Sequence, residues 1–345
     1  MAYTTIDDPS AYFQTALYTG NESTNVITND GNSDLQPDWW WGADRTGTNW
    51  NSIYDSSRGV TKQLNTNVTN SEYTVSNGMA SFNSDGFTLG SHDNSNKNSH
   101  NHVAWQWKAN GGTTASNSDG DITSTVQANT TAGFSIVTYT GNGNDGNTVG
   151  HGLSGNWDLC ILKNRGQTDY WTFSTTGTNQ VLLLHDTSAQ ANHSTAYMTK
   201  SSGVIGLVGA GDLGMVNNSN ETYVAYVFKQ IQGYSKFGSY TGNGNVDGPF
   251  VYTGFSPAWI MFKSTSATGS WQIYDSKRQT FNDGSQPALK ADATDAEFSK
   301  NVDILSNGVK LRDTTGDANA SGVTYIYMAF AEHPFVLSEG VPTTA

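Results

Sequence analysis

The stretch SYTGNGNVDG, residues 239–248, decides the reading of this chain, because its core is written three times. Tyr-Thr-Gly-Asn stands at 18–21, at 139–142 and at 240–243. Each copy is followed, at a nearly constant distance, by a strongly alternating segment. Val103 opens VAWQWKA 85 residues after Tyr18, Val224 opens VAYVFKQ 85 after Tyr139, and Ile326 opens IYMAFAE 86 after Tyr240. Other landmarks keep step. The glycines of SDGFTL, SSGVIGL and SNGVKL lie 68, 64 and 68 residues beyond the tyrosine. YDSSR (54–58) answers YDSKR (274–278), and PDWWW (37–41) answers PAWIM (257–261). The turn therefore opens three copies of one module of about 100 residues, an ordinary domain size.

The modules read as β-structure. In the closing segment Val103, Trp105 and Trp107 point one way and Ala104, Gln106 and Lys108 the other; Val224, Tyr226, Phe228 and Ile326, Met328, Phe330 repeat the pattern. Period two with one apolar side is a strand with one face in a core. GFSIVTYTGNG and GYSKFGSYTGNG read as strands running into Gly/Asn turns, and SDGFTLG and LSNGVKL as strands meeting Asp-Gly and Asn-Gly turns. No stretch sustains helical spacing; the best helical candidate, DATDAEFSK (292–300), is short. The expected fold is all-β: three tandem antiparallel β-sandwiches of seven or more strands each, with the matched Trp and Tyr positions stacked between two sheets. The expected boundaries are 1–109, 132–232 and 233–337. Residues 110–131 form a polar linker with one strand at ITSTVQ, and 338–345 a tail. With almost no linker before Tyr234, modules 2 and 3 should pack rigidly together.

Composition bounds the function. Charged residues are 14% of the chain, whereas 37 Gly accompany abundant Asn, Ser and Thr, which suits short strands joined by turns. A net charge of −13 disfavours nucleic acid as a partner. The single Cys160 excludes an internal disulfide framework and a cysteine zinc site. The N-terminal MAYTTIDDPSAYF does not read as a signal peptide, and no apolar run approaches the roughly 20 residues of a membrane span.

The series MAYTTIDDPSAYFQTALYTGN (1–21), SSRGVTKQL (56–64), SFNSDGFTLGS (81–91), VAWQWKA (103–109), GFSIVTYTGNG (133–143), TVGHGL (148–153) and YIYMAFAEHPF (325–335) resembles the tail-fibre-like and virion-surface proteins of marine bacteriophages. The resemblance covers nearly the whole chain. It implies concanavalin-A-like jelly-roll modules of the lectin or SPRY type, and a place on the exterior of a phage particle as tail fibre, tail accessory or capsid decoration. It also implies other virion proteins and a host-surface glycan as partners, and a homo-oligomeric state. It carries no binding residues that transfer by position. Module 2 departs from the pattern, having TFSTTG (172–177) where the others have YDS-R; if that segment serves binding, module 2 is a spacer.

Chemical motifs are weak. GAGDLG (209–214) fits a dinucleotide-binding glycine pattern, but MVNNSNE follows rather than a helix, so a hairpin turn is preferred. SHNH (99–102) sets His100 and His102 on one strand face with His92 nearby, a pair that could hold zinc; no further ligand accompanies it, and a polar loop is preferred. SNSDGD (116–121) and NDGNSD (29–34) lack the closing bidentate Glu of a calcium loop. No metal and no cofactor is expected. The six Glu never stand two or four apart, so the paired-carboxylate strand of a β-glucanase is missing, and no Gly-x-Ser-x-Gly elbow occurs. The chain is expected to be non-catalytic; a polysaccharide-degrading enzyme or a dedicated lectin are the alternatives. A sugar site, if present, falls to the exposed members among Trp40, Trp50 and Trp271, the last two at matched offsets of 32 and 31 from the module tyrosine. The competing reading packs these indoles in cores, where Trp is usually found.

Overall fold

The computed structural model describes residues 3–193, 197–209, 214–279, 281–314 and 316–343. Among them helix is confined to the 3-10 turn Pro9–Ala11 and the single turn Asp93–Asn96. The strands form six antiparallel sheets, three large and three small. The large sheets share one order. In each, an opening strand (Phe13–Thr19, Phe134–Thr140, Ser235–Thr241) lies beside a closing strand (Asn101–Trp107, Thr222–Phe228, Thr324–Pro334). A central strand follows (Trp39–Asp44, Leu159–Asn164, Phe255–Ser264), then a fourth (Ser52–Asp55, Trp171–Ser174, Gln272–Asp275) and a fifth (Lys62–Asn65, Gln180–Leu183, Gln286–Lys290). Each large sheet is backed by a three-stranded one, with Phe87–Leu89, Val204–Val208 and Gly308–Leu311 in the middle. The helical candidate at 292–300 instead ends in the short strand Phe298–Lys300.

The repeated turn is explained by a three-point lock. Tyr18, Tyr139 and Tyr240 sit at one register position, opposite His102, Tyr223 and Tyr325, and stack on those rings at 5.2, 5.0 and 5.1 Å. Their hydroxyls donate to the carbonyls of Ser95, Val216 and Ala318. The next residue in each case is a fully buried asparagine, Asn96, Asn217 or Asn319. Its Oδ1 accepts the N–H of the turn residue Asn21, Asn142 or Asn243 at 3.1, 3.0 and 2.9 Å. Between them stands Gly20, Gly141 or Gly242. A Cβ there would lie 2.1, 2.3 and 2.3 Å from the carbonyl oxygens of Lys97, Asn218 and Ala320, so no side chain fits. Tyr, Gly and Asn are each required by a separate contact.

The matched aromatics are divided between two cores rather than all stacked within the sandwiches, as the alternation suggested. Both faces of the closing and central strands are buried. One face meets the small sheet of its own module: Trp40, Tyr54 and Phe87 in the first, Val137, Cys160 and Leu207 in the second, Ile260, Phe262 and Val309 in the third. The other face enters a single core shared by all three modules. There Trp39 stacks on Tyr226 at 4.5 Å, Trp107 meets Trp259 at 5.6 Å, and Phe228 meets Phe330 at 5.7 Å. Two-sided burial accounts for continuous runs such as Trp39-Trp40-Trp41 and Leu159-Cys160-Ile161-Leu162.

Polar pins cross the seams in one rotational sense and close a ring. Trp171 Nε1 donates to Asn65 O at 2.8 Å, Trp271 Nε1 to Leu183 O at 2.9 Å, and Asn51 Nδ2 to Lys290 O at 2.8 Å. The YDS-R segments are seam elements rather than ligand sites. Asp55 is held by Arg58 and accepts from Tyr226 of the second module at 2.7 Å, while Glu72 joins Arg58 to Arg165. Asp275 is likewise held by Arg278 and accepts from Trp105 Nε1 of the first module at 2.9 Å, while Glu297 joins Arg278 to Arg45. Module 2 lacks the segment, and at its seam the positions of Tyr226 and Arg165 are taken by Met328 and Thr265, which offer neither that donor nor a guanidinium. Lys163 and Lys263 are buried across seams, donating to Thr69 O and Thr187 O at 2.9 Å; burial lowers both ammonium pKa values to about 8.

Residues 110–131 are not a free linker. Ser124–Asn129 pairs with the opening strand Phe134–Thr140, and Ala115–Asn117 adds outside it, widening the second large sheet to eight strands.

A module cut out of this ring exposes its half of the shared core. Residues 115–232 alone should give no cooperative calorimetric transition, whereas the whole chain should unfold in one. Separate transitions in the whole chain, or a well-folded excised module, would contradict the shared core.

Candidate functional site

Of the three indoles nominated by the sequence, one is accessible. Trp40 is fully buried against Phe87 and Tyr54. Trp271 is buried in the seam, with its ring 4.6 Å from Phe173. Trp50 is 38% exposed. The pairing of Trp50 with Trp271 fails by one residue: Gly42 faces Ser52 and Phe262 faces Gln272, so the counterpart of Trp271 is Asn51, and that of Trp50 is Ser270. The one-residue difference between their offsets was the available sign.

Trp50 lies in the loop after the central strand, near the end of the molecule that carries the three locked turns. The buried Asp44 fixes this loop, accepting the N–H groups of Thr46 and Gly47 at 2.9 Å and the Asn49 amide at 2.6 Å. The Trp50 N–H reaches Asn94 Oδ1 at 3.3 Å. The indole borders an open cleft of about 290 Å³ with Asn70, Ser71, Tyr73 and, from the second module, Thr168. Tyr73 has spent its hydroxyl, accepting from Gln63 at 2.7 Å and donating to Asn65 at 2.8 Å, so its ring is what the cleft offers. Thr168 is brought in by the seam, where Arg165 pairs with Glu72 and the Asp169 N–H donates to Thr69 O at 2.9 Å. All five lining residues are uncharged. Two aromatic rings beside amide and hydroxyl groups can stack on C–H patches and bond to hydroxyls, the chemistry of a neutral sugar.

Sequence reasoning missed Tyr73, Thr168 and a second platform. Leu162 faces Thr172, so Tyr170 stands in the register of Trp50. It is 44% exposed and stacks on His185 at 5.2 Å. Its sign was the DYW at 169–171, one residue ahead of the seam pin.

The remaining motifs serve structure. His100 Nδ1 lies 2.6 Å from Asp44 Oδ2, whereas His102 is buried beneath Tyr18. No group of three or more His, Cys, Asp or Glu side chains suited to a metal occurs among the described residues. Asp121 caps Thr148, and Asp30 pairs with Lys277. The GAGDLG stretch falls mostly on 210–213, outside the described residues. Glu332 accepts from Ser276 Oγ at 2.8 Å.

One family matches this chain, a domain of unknown function designated DUF7483, over residues 8–334. The chain belongs to that family. No curated protein and no solved structure gives a significant match.

Burial makes the molecule acid-sensitive. Desolvation holds His92, His102, His151 and His185 below the usual histidine value, His151 at about 4. As pH falls through about 6.5 the unfolded chain takes up protons that the fold refuses, so stability present above 6.5 is lost down to about 4. Asp38 and Asp292, raised by burial, the latter to about 6, act in the opposite sense and offset part of that loss. The melting temperature should fall between pH 7 and 4.5, with His151 alone worth on the order of 3 kcal/mol. His151→Asn should flatten the profile; an unchanged slope would remove His151 from this account.

Proposed function

We propose that this chain is a non-catalytic structural protein of the exterior of a bacteriophage particle, in tail or capsid, and that it attaches the particle to a neutral host-surface glycan through the Trp50 cleft. The virion reading rests on the sequence resemblance given above. The attachment reading rests on one observation: an accessible indole and a tyrosine ring bracket a cleft without a charged lining residue, mounted on a rigid seam. Tyr170 supports it as a second aromatic platform in the same register. A body whose modules share one core transmits force without hinges, as an attachment protein requires, and weak sites gain avidity when copies are arrayed on a particle. The acidic surface keeps such a particle soluble and away from its own genome. The Glu side chains support a non-catalytic reading: Glu72 and Glu297 are engaged by arginines, Glu22 by Lys97 and Glu332 by Ser276.

Trp50→Ala should leave stability within about 0.5 kcal/mol, whereas Trp271→Ala should cost about 3–5 kcal/mol. On a glycan array the unaltered chain should bind neutral oligosaccharides, and Trp50→Ala should lose at least tenfold in affinity. Unaltered glycan binding by a stable Trp50→Ala protein rejects the cleft. No glycan binding by either protein favours a decoration role without attachment.

A further inference from the structure

The three seams treat one backbone position differently. Thr15, Ile136 and Phe237 are equivalent, standing opposite Trp105, Tyr226 and Met328 on the closing strands. At Ile136 the sheet edge is covered by Ser124–Asn129, with Gln127 directly opposite. Gln127 is fully buried. Its Nε2 donates to Ser56 Oγ and Ser57 Oγ, both at 2.9 Å, and its Oε1 accepts the N–H groups of Asn110 and Gly112. At Phe237 the edge N–H donates to the Gln230 side chain at 3.3 Å. One glutamine amide thus serves each of these two edges.

At Thr15 neither device is present. Lys108 donates to Tyr12 O and Gly20 to His100 O on this ladder. Antiparallel alternation then turns the N–H and C=O groups of Phe13, Thr15 and Leu17 away from the closing strand. No strand lies against this edge among the described residues. The Thr15 hydroxyl is buried without a partner. Beside it lies a cavity of about 280 Å³ whose lining includes Phe13, Thr15, Ala258, Ser276 and Lys277. Ser276 and Lys277 are the counterparts of Ser56 and Ser57, because Asp275 faces Trp259 as Asp55 faces Trp39. Ala258 stands where the first module has Asp38, whose carboxylate accepts from Ala109, Gly111 and Gly112 of the crossover. The cavity therefore occupies the place that Gln127 and its strand fill in the seam between modules 1 and 2.

We propose that this cavity accepts an extended segment of a second protein, which adds as an antiparallel strand to Phe13–Thr19 and sets an asparagine or glutamine side chain against Ser276 and Lys277. Strand addition supplies main-chain hydrogen bonds to an open edge, and the pocket supplies selectivity. An amide suits the pocket better than a carboxylate. Lys277 already pairs with Asp30 at 2.6 Å, and Ser276 with Glu332 at 2.8 Å, so an added negative charge would meet two others, whereas an amide both donates and accepts. The inference is independent of the Trp50 cleft, which lies toward the other end of the strands.

The probe is a fluorescein-labelled peptide ITSTVQANTT, the chain's own residues 122–131, titrated with the whole protein and followed by anisotropy. Saturable binding is expected. Thr15→Pro should weaken it at least tenfold without lowering the melting temperature, since the Thr15 N–H serves no bond in the sheet and proline is tolerated on such an edge. Ser276→Arg, which fills the cavity from the opposite wall, should do the same if Thr15→Pro proves unstable. Replacing the peptide glutamine by leucine should weaken binding at least threefold. No saturation up to about 1 mM, an affinity too weak for a specific contact, overturns the proposal. Undiminished binding to both variants overturns it too. A dimer that the peptide dissociates assigns the groove to a second copy of this chain instead, and also overturns it.

Discussion

The molecule depends on one constraint: each large sheet is apolar on both faces, and a three-stranded sheet covers only one of them. The uncovered faces carry Trp39, Trp105, Trp107, Phe134, Tyr226, Phe228, Trp259 and Phe330. Left in water, side chains of this size forfeit roughly 1.5–3 kcal/mol each. Three such faces satisfy one another only by turning inward together. The ring of seam pins follows, since indole and amide donors at the rim of a shared core need acceptors and find them on the neighbouring module.

Charge is distributed by the same logic. A buried Asp–Arg pair costs desolvation and is kept only where further groups complete it. Two seams supply Tyr226 or Trp105 to the aspartate and a bridging glutamate with a second arginine. The third supplies neither and, among the described residues, carries no such pair. An arginine introduced into module 2 alone would be buried without its counter-ion.

Much of this was legible in the sequence. The repeat, its spacing and the all-β class were carried by Tyr18, Tyr139 and Tyr240, because the lock demands Tyr, Gly and Asn at fixed places. Its other half was overlooked: Asn96, Asn217 and Asn319 recur 78, 78 and 79 residues after those tyrosines, but asparagine is too common here to stand out. What alternation could not tell was which body covers each face. Period two says that Trp105 and Ala104 part company, not that Trp105 enters a neighbour's core. For the same reason Trp271, polar at one atom and set by a turn, looked like a surface residue. Trp50 was legible as a candidate only through its type and its place in a loop. Its partners Tyr73 and Thr168 come from distant chain positions, one from an edge strand of the same module and one from the second module across the seam.

The ring also has a temporal side. Modules 1 and 2, and modules 2 and 3, follow one another along the chain, so corresponding contacts close shorter loops: Glu72 and Arg165 lie 93 positions apart, and Leu183 and Trp271 lie 88 apart. The seam between modules 3 and 1 brings together Asn51 and Lys290, 239 positions apart, and Arg45 and Glu297, 252 apart. Closing loops of that length costs more entropy and slows the search. Loop entropy predicts that this seam forms last and parts first, with the neighbouring Asp7–Ser338 contact beside it. Hydrogen exchange would register this as earlier labelling of the Glu297 amide, bonded to Arg45, than of the Glu72 amide, bonded to Arg165. A chain built from three similar parts thus acquires a direction in time, set by where its peptide bonds run rather than by any difference among the parts.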